Sequence, residues 1–220
     1  MPNPDHPYYR LSETCQQHHA TLVAVSKTRS IAEIDIVYRM GQRIFAENRA
    51  QELLEKAPVM PKDMEWHLIG HLQTNKVRSI MPYVSCIQSL DRLTLWDKIQ
   101  EEAARSDKKI KCLLQIKIAA EESKYGWSFE ELNKILLSGK HHACPDVMIS
   151  GVMGMASLTE DMARVRIEMK SLKAAYDLLK DQYFKNDPAF DTISMGMSGD
   201  YTIALEEGST MIRIGSLLFT

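Results

Sequence analysis

Ser194-Met-Gly-Met-Ser-Gly-Asp200 and, one short helical stretch later, Thr210-Met-Ile-Arg-Ile-Gly-Ser216 close the regular pattern of this chain and decide how it folds. Each is an apolar run that ends in glycine and a hydroxyl residue. Glycine lets main-chain N–H groups approach an anion, and Ser198 stands where the next helix is expected to begin, so Ser198 and Gly199 suit a phosphate. Gly215 and Ser216 offer the same chemistry from the next strand end. One such turn is weak evidence, because small residues commonly just make turns. Two in succession match the phosphate site that (β/α)8 barrels build after their last two strands.

Working back from there, short apolar runs alternate with longer amphipathic ones. Strands are expected at 21–26, 43–45, 65–70, 83–88, 111–118, 147–152, 191–194 and 210–214. Helices are expected at 31–40, 48–57, 74–80, 92–105, 129–138, 161–182 and 201–207. Strict rotation of strand and helix argues for parallel βαβ units. About eight strands in ~200 residues fits a compact α/β fold of the (β/α)8 TIM type. An extra N-terminal helix over residues 8–19 precedes the barrel. An open doubly wound sheet would call for a GxGxxG turn after the first strand, and none is present. No linker, repeat or low-complexity run divides the chain, so residues 1–220 read as a single domain.

Composition bounds the function. The 27 basic and 29 acidic side chains leave a net charge of −2, which gives no support for attraction to nucleic acid or membrane. Cys15, Cys86, Cys112 and Cys144 are widely spaced, which suits a reducing compartment and argues against a zinc ribbon. The first residues carry Pro2, Asp5 and Pro7 rather than an apolar core, and no run reaches the roughly 20 apolar residues of a spanning helix. A cytoplasmic monomer is expected.

Two cations stand out. Lys27 closes the apolar run Leu22–Val25, where a parallel α/β protein places its chemistry. It reads either as an amine that forms a Schiff base or as a strand-end lysine reaching into water. On a strand, alternate residues share a face, so Lys27 aligns with Val23 and Val25, and Arg213 with Met211 and Gly215. First and last strands of a barrel are neighbours, which brings both cations toward one mouth, where they would hold an anionic conjugated ligand. The other reading of Arg213 is an ion pair with Glu206 or Glu207. His67 and His71 read as core and pocket wall rather than a metal or acid–base pair. Met153, Met155, Met195 and Met197 read as wall and core.

With these features in place the chain resembles the pyridoxal-phosphate homeostasis protein family, itself similar to the barrel domain of alanine racemase. The motifs that carry the resemblance span nearly everything from Leu22 to Phe219. They are Ala24-Val-Ser-Lys-Thr28, Phe45-Ala-Glu-Asn-Arg49 with Gln51-Glu52, and Trp66-His-Leu-Ile-Gly-His-Leu-Gln-Thr-Asn-Lys76. Further along come Ser89-Leu-Asp-Arg92, Lys124-Tyr-Gly126, Gly151-Val-Met-Gly-Met155, and the two closing turns. Ala46 stands where the family usually has glycine, Ala50 where it often has valine, and Ser216 where threonine is more usual.

The resemblance implies a single (β/α)8 domain that binds pyridoxal 5′-phosphate, with Lys27 as the lysine of the internal aldimine. It implies phosphate contacts at Ser198, Gly199, Gly215 and Ser216, Arg213 facing the pyridine nitrogen, and Asn48 near the phenolic oxygen. Lys124 would be a loop lysine or a second cofactor contact. An ordinary lysine is neutral only about 0.04% of the time at pH 7, and only the neutral amine attacks an aldehyde. Burial and the charge of Arg213 are expected to favour that form. A guanidinium cannot accept a proton, so it would leave the ring nitrogen unprotonated and the ring a poor electron sink. The function implied is a carrier that regulates cofactor supply, with PLP-dependent apo-enzymes as partners. The alternative is a PLP-dependent racemase or decarboxylase of the same barrel type, and a third class is a scaffold for a protein partner with a vestigial site. Racemisation needs a second acid–base group on the opposite face. With the chain ending at Thr220, that supply is not expected, and neither is turnover.

Overall fold

Eight parallel strands close on themselves, each hydrogen-bonded to the next and the last to the first. The computed structural model describes residues 5–119 and 125–219. Helix α1 (Pro7–Gln17) precedes the barrel, with a proline in its first turn and the His6 Nδ1 accepting from the Tyr8 N–H. The barrel then runs β1 (Thr21–Val25), α2 (Ile31–Arg39), β2 (Ile44–Glu47), α3 (Ala50–Lys56) and β3 (Glu65–Leu68). A 3-10 turn (Thr74–Lys76) leads into α4 (Val77–Ile80), followed by β4 (Val84–Leu90), α5 (Leu93–Arg105), β5 (Ile110–Gln115) and α6 (Phe129–Leu137). The chain closes with β6 (Val147–Met153), α7 (Met162–Gln182), β7 (Thr192–Ser194), α8 (Tyr201–Glu206) and β8 (Met211–Ile214).

Local chemistry sets several boundaries. Ser30 with Glu33, and Ser128 with Glu131, form reciprocal capping boxes that satisfy the free N–H groups at the starts of α2 and α6. Helix α8 starts at Tyr201 with Asp200 as its N-cap, so Ser198 lies in the turn ahead of the helix rather than at its first position. The expected helix over 48–57 starts later, at Ala50, which leaves Asn48 in the loop after β2.

Strand parity divides the core in two. Leu22, Ala24, Phe45, Trp66, Leu68, Ile212 and Ile214 point outward into the large cluster under the helices. Inside the barrel lie two small apolar groups. One is built on Val23, Val25 and Ala46, the other on Cys86, Leu113 and Met153. His67, Gln88, Ser194 and Arg213 fill the interior as buried polar residues. Buried polar groups cost free energy unless each finds a partner, so this composition demands an explanation in hydrogen bonds. Burial pushes the thiols of Cys86 and Cys112 up, the former to about 12, and all four cysteines are free and buried. Among the described residues no helix is long and apolar enough to cross a membrane.

Candidate functional site at the carboxyl mouth of the barrel

Arg213 sits inside the barrel on β8, level with Val23 of β1, on the face that parity assigns. Its Nη1 donates to Ser194 Oγ at 2.6 Å and its Nη2 to the carbonyl of Gly154 at 2.9 Å. Both acceptors are neutral. Glu206 and Glu207 pair with Arg166 instead, at 2.5 Å each, so the ion-pair reading of Arg213 fails. Burial pushes Arg213 down to about 10, partly offset by the charge of Asp200, and it remains a cation at neutral pH. A guanidinium buried among neutral acceptors keeps N–H donors and positive charge for something else.

From Ser194 the contacts continue across the barrel. Ser194 Oγ donates to Gln88 Oε1 at 2.7 Å, and Gln88 Nε2 lies 2.9 Å from His67 Nδ1 and 3.2 Å from Met211 Sδ. His67 is thus an interior residue, as expected of core or wall. It also lines a cavity of about 710 Å³ at the opposite, amino-terminal mouth, together with Lys111, Glu65 and Cys86. Burial, with the nearby Lys111, holds the His67 imidazole down at about 4.

Lys27 lies two residues beyond the end of β1, past the level where Gly215 abuts Val25. It is exposed, so the desolvation expected for this amine is not supplied by the protein's own atoms. Parity fixed the face of Lys27, but past the strand end no neighbouring strand covers it. The main chain around it is tightly held. Thr28 has φ of 63°, a left-handed conformation that is costly for a β-branched residue. Its N–H donates to Glu52 Oε2 at 2.6 Å. The ammonium of Lys56 donates to the Ser26 carbonyl at 2.8 Å, to Glu47 Oε1 at 2.9 Å and to Glu52 Oε2 at 3.0 Å. The Ser26 hydroxyl donates to Glu47 Oε1 at 2.6 Å. Residues on both sides of Lys27 are therefore anchored to one buried ionic cluster. Burial pushes the Glu47 carboxyl up. Burial also acts on Glu52, but the Thr28 N–H and Lys56 outweigh it and hold that carboxyl low. Sequence reasoning missed this cluster, although a glutamate at an outward, helix-covered position of β2 and the Glu52/Lys56 spacing of four were visible.

The two glycine turns complete the mouth. Met197 N–H donates to Asp200 Oδ1 at 2.6 Å, and the N–H groups of Asp200 and Tyr201 turn back onto the Met197 carbonyl. Among the described residues none accepts from the main-chain N–H groups of Ser198, Gly199, Gly215 or Ser216. The guanidinium of Arg29 lies 5.6 Å from the Phe219 ring centre, which ties the Lys27 loop to the segment after Ser216. Asn48 is exposed at the end of β2, pressed against Gly70. A Cβ at that glycine would fall 2.1 Å from the Asn48 carbonyl oxygen and 2.4 Å from its Oδ1, so only glycine fits.

Other predicted residues lie apart from this arrangement or add to it. His71 is in the loop after β3, where its Nδ1 lies 3.0 Å from Asp91 Oδ2 and its ring stacks on Tyr125 at 4.0 Å. His71 is exposed there, while the Asp91 carboxylate it meets is buried. Met153 and Met195 are buried and Met197 is exposed. Lys124, and with it the idea of a second cofactor contact, lies outside the described residues.

The family model of the alanine racemase N-terminal domain matches residues 5–220 of this closed parallel barrel, and the chain belongs to that family. Within it the chain belongs to the pyridoxal phosphate homeostasis proteins. It is 36% identical over 216 residues to the protein of that name from Aquifex aeolicus, covering 96% of this chain and 92% of the relative. Among solved structures, PipY of Synechococcus elongatus without PLP superposes with a TM-score of 0.89 at 32% identity, over 98% of this chain and all of PipY. The PLP-bound form of PipY gives a TM-score of 0.85 at 31% identity over the same shares.

Proposed function

We propose that this protein binds pyridoxal 5′-phosphate at the carboxyl mouth of its barrel as an internal aldimine with Lys27. On this proposal it regulates the supply of the cofactor without turnover of its own. The observation that carries the proposal is a single juxtaposition. Among the described residues, Arg213 is buried and bonded only to neutral acceptors, and it lies one strand from Lys27 and beside two turns whose N–H groups meet no acceptor. The chemistry of these groups fits the cofactor part by part. Ser198, Gly199, Gly215 and Ser216 offer donors to a phosphate dianion. Arg213 offers a donor to the pyridine nitrogen, Asn48 one to the phenolic oxygen, and Lys27 an amine to the aldehyde. The relatives named for PLP homeostasis, and PipY solved with PLP bound, support the same reading.

When bound, the cofactor supplies a reactive aldehyde and a conjugated ring. The rest follows from the protein. Because Arg213 can only donate, it keeps the ring nitrogen free of a proton, which weakens the ring as an electron sink. That suits reversible storage over carbanion chemistry. Release to PLP-dependent apo-enzymes, as a cytoplasmic monomer, completes the proposal. A racemase- or decarboxylase-like activity is the second reading, and the pairing of exposed His71 with the buried Asp91 carboxylate is the feature that favours it.

Borohydride reduction of the PLP-loaded protein, followed by peptide mass spectrometry, should place the adduct on Lys27, and Lys27→Ala should abolish trapping while leaving the protein folded. An adduct chiefly on Lys76 or Lys124 would reject the site. Incubation with L-alanine or L-serine in deuterated water separates the two readings. Turnover in the common enzyme range of about 1–10³ per second would establish an enzyme.

A further inference from the structure

Four buried polar side chains inside the barrel, Arg213, Ser194, Gln88 and His67, form one directed chain of hydrogen bonds, and its direction follows from the donor inventory and from where the Ser194 proton can go. A guanidinium only donates, so Ser194 Oγ must accept from Arg213 Nη1. The hydroxyl can accept twice but has one proton to place, and among the described residues its sole acceptor is Gln88 Oε1 at 2.7 Å. Gln88 must therefore present its carbonyl oxygen to Ser194, which turns its NH₂ toward Met211 Sδ and His67 Nδ1. An NH₂ group cannot accept, so His67 Nδ1 accepts. The imidazole is then neutral, with its proton on Nε2, and the residue lines the amino-terminal cavity.

We propose that Ser194, Gln88 and His67 are positioning residues for Arg213. They act through the guanidinium, fixing its plane and leaving its uncommitted N–H groups for the cofactor ring. This inference rests on the proposed PLP reading. Its support is geometric. Among the described residues no carboxylate contacts Arg213, so orientation falls to Ser194 and the Gly154 carbonyl, and among those residues Ser194 Oγ is held in turn by Gln88. The chain's members are buried alongside the two interior apolar groups, where an unsatisfied polar group is costly.

Charges of both signs face His67, and Lys111, the one that acts on the ring, agrees with this assignment. On β5, Lys111 opposes a second positive charge, and the Gln88 amide opposes one from β4. Glu65 precedes His67 on its own strand, and Asp191 lies across the cavity, next to β7.

The test has two arms. Nitrogen-15 NMR of the imidazole, on protein free of cofactor, should find His67 neutral with its proton on Nε2 from pH 6 to 8. In Gln88→Glu, the carboxylate can still accept from Ser194 but must also receive a proton from His67, so the imidazole should become Nδ1-protonated. A wild-type His67 that is cationic or carries its proton on Nδ1, or a tautomer unmoved in Gln88→Glu, would overturn the proposal. In the second arm, Gln88→Met should weaken PLP binding by roughly tenfold or more and shift the visible absorbance band. Gln88→Glu, which keeps the acceptor for Ser194, should restore much of both. Wild-type affinity and spectrum in Gln88→Met would overturn the positioning role. If wild-type protein fails to form an adduct at Lys27, the PLP reading falls with the role toward the ring. The NMR arm still reads the internal chain independently.

Discussion

Replacing Lys56 with methionine should cost this protein a large part of its stability and loosen the loop that carries Lys27. Methionine keeps most of the stem that packs beneath β2 and removes only the ammonium. That ammonium is buried and holds three acceptors, one of them on the fully buried Glu47. Removing one partner of a buried pair typically costs about 3–5 kcal/mol, because the other charge stays behind without compensation. For a domain of this size each kcal/mol lowers the midpoint by roughly 2–4 °C, so a fall of roughly 6–20 °C is expected.

The pH dependence follows from Glu47. Burial already raises its carboxyl, and Lys56 opposes that rise, so the variant raises it further. Between the ordinary carboxyl value, about 4.3, and this raised folded value, the native state holds a proton that the unfolded chain has released. Stability therefore falls as pH rises through that window, and the deficit of the variant should be larger at pH 8 than at pH 5. Urea unfolding at both pH values reads this directly. Adding Glu47→Gln to Lys56→Met removes the stranded charge and should recover part of the loss at pH 8. A deficit under about 1 kcal/mol, or one equal at both pH values, or no recovery in the double variant, would refute this account of the cluster.

Two further outcomes test the mouth. Gly70→Ala places a Cβ within 2.1–2.8 Å of Asn48 atoms, so it should displace Asn48, cost about 1–3 kcal/mol, and weaken PLP binding measured by absorbance titration. Ser198→Asp and Gly215→Asp should weaken binding of PLP far more than that of unphosphorylated pyridoxal, since the new carboxylate repels only the phosphate dianion strongly. Equal losses for both ligands would place the phosphate elsewhere.

Much of the barrel was legible because a strand's two-residue period is rigid. Parity alone put Arg213, Val23 and Val25 inside and Ile212 and Ile214 outside, and the structure agrees. Where the chain leaves the sheet that rule stops, and so did the reading. Lys27 turned out exposed because no neighbour covers a residue past the strand end. Ser198 fell ahead of α8 because Asp200 takes the N-cap position, with its carboxylate holding the Met197 N–H. The Arg166 pairing of Glu206 and Glu207 joins α7 to α8, and the pairing of Lys56 with Glu47 joins α3 to β2. Both depend on packing between elements, which no local pattern encodes.

The two cations of the site are supported in opposite ways, and the difference bears on what each can do. Lys27 is exposed along its side chain but anchored at its main chain, through Thr28 held at positive φ and Ser26 bound to Lys56. An amine that must meet an incoming aldehyde and later release it benefits from a free side chain on a fixed base. Arg213 is the reverse, a side chain fixed along its length and buried with neutral partners. Strain at Thr28 and a polar chain through the barrel interior both cost stability without filling the core. Such costs persist where the surrounding structure over-determines them, and they cluster at functional sites. Here both converge on the carboxyl mouth, one holding the group that would bond the cofactor and the other holding the group that would set its protonation. A fold that needed only a stable barrel would place an aliphatic side chain at Arg213 and glycine at Thr28.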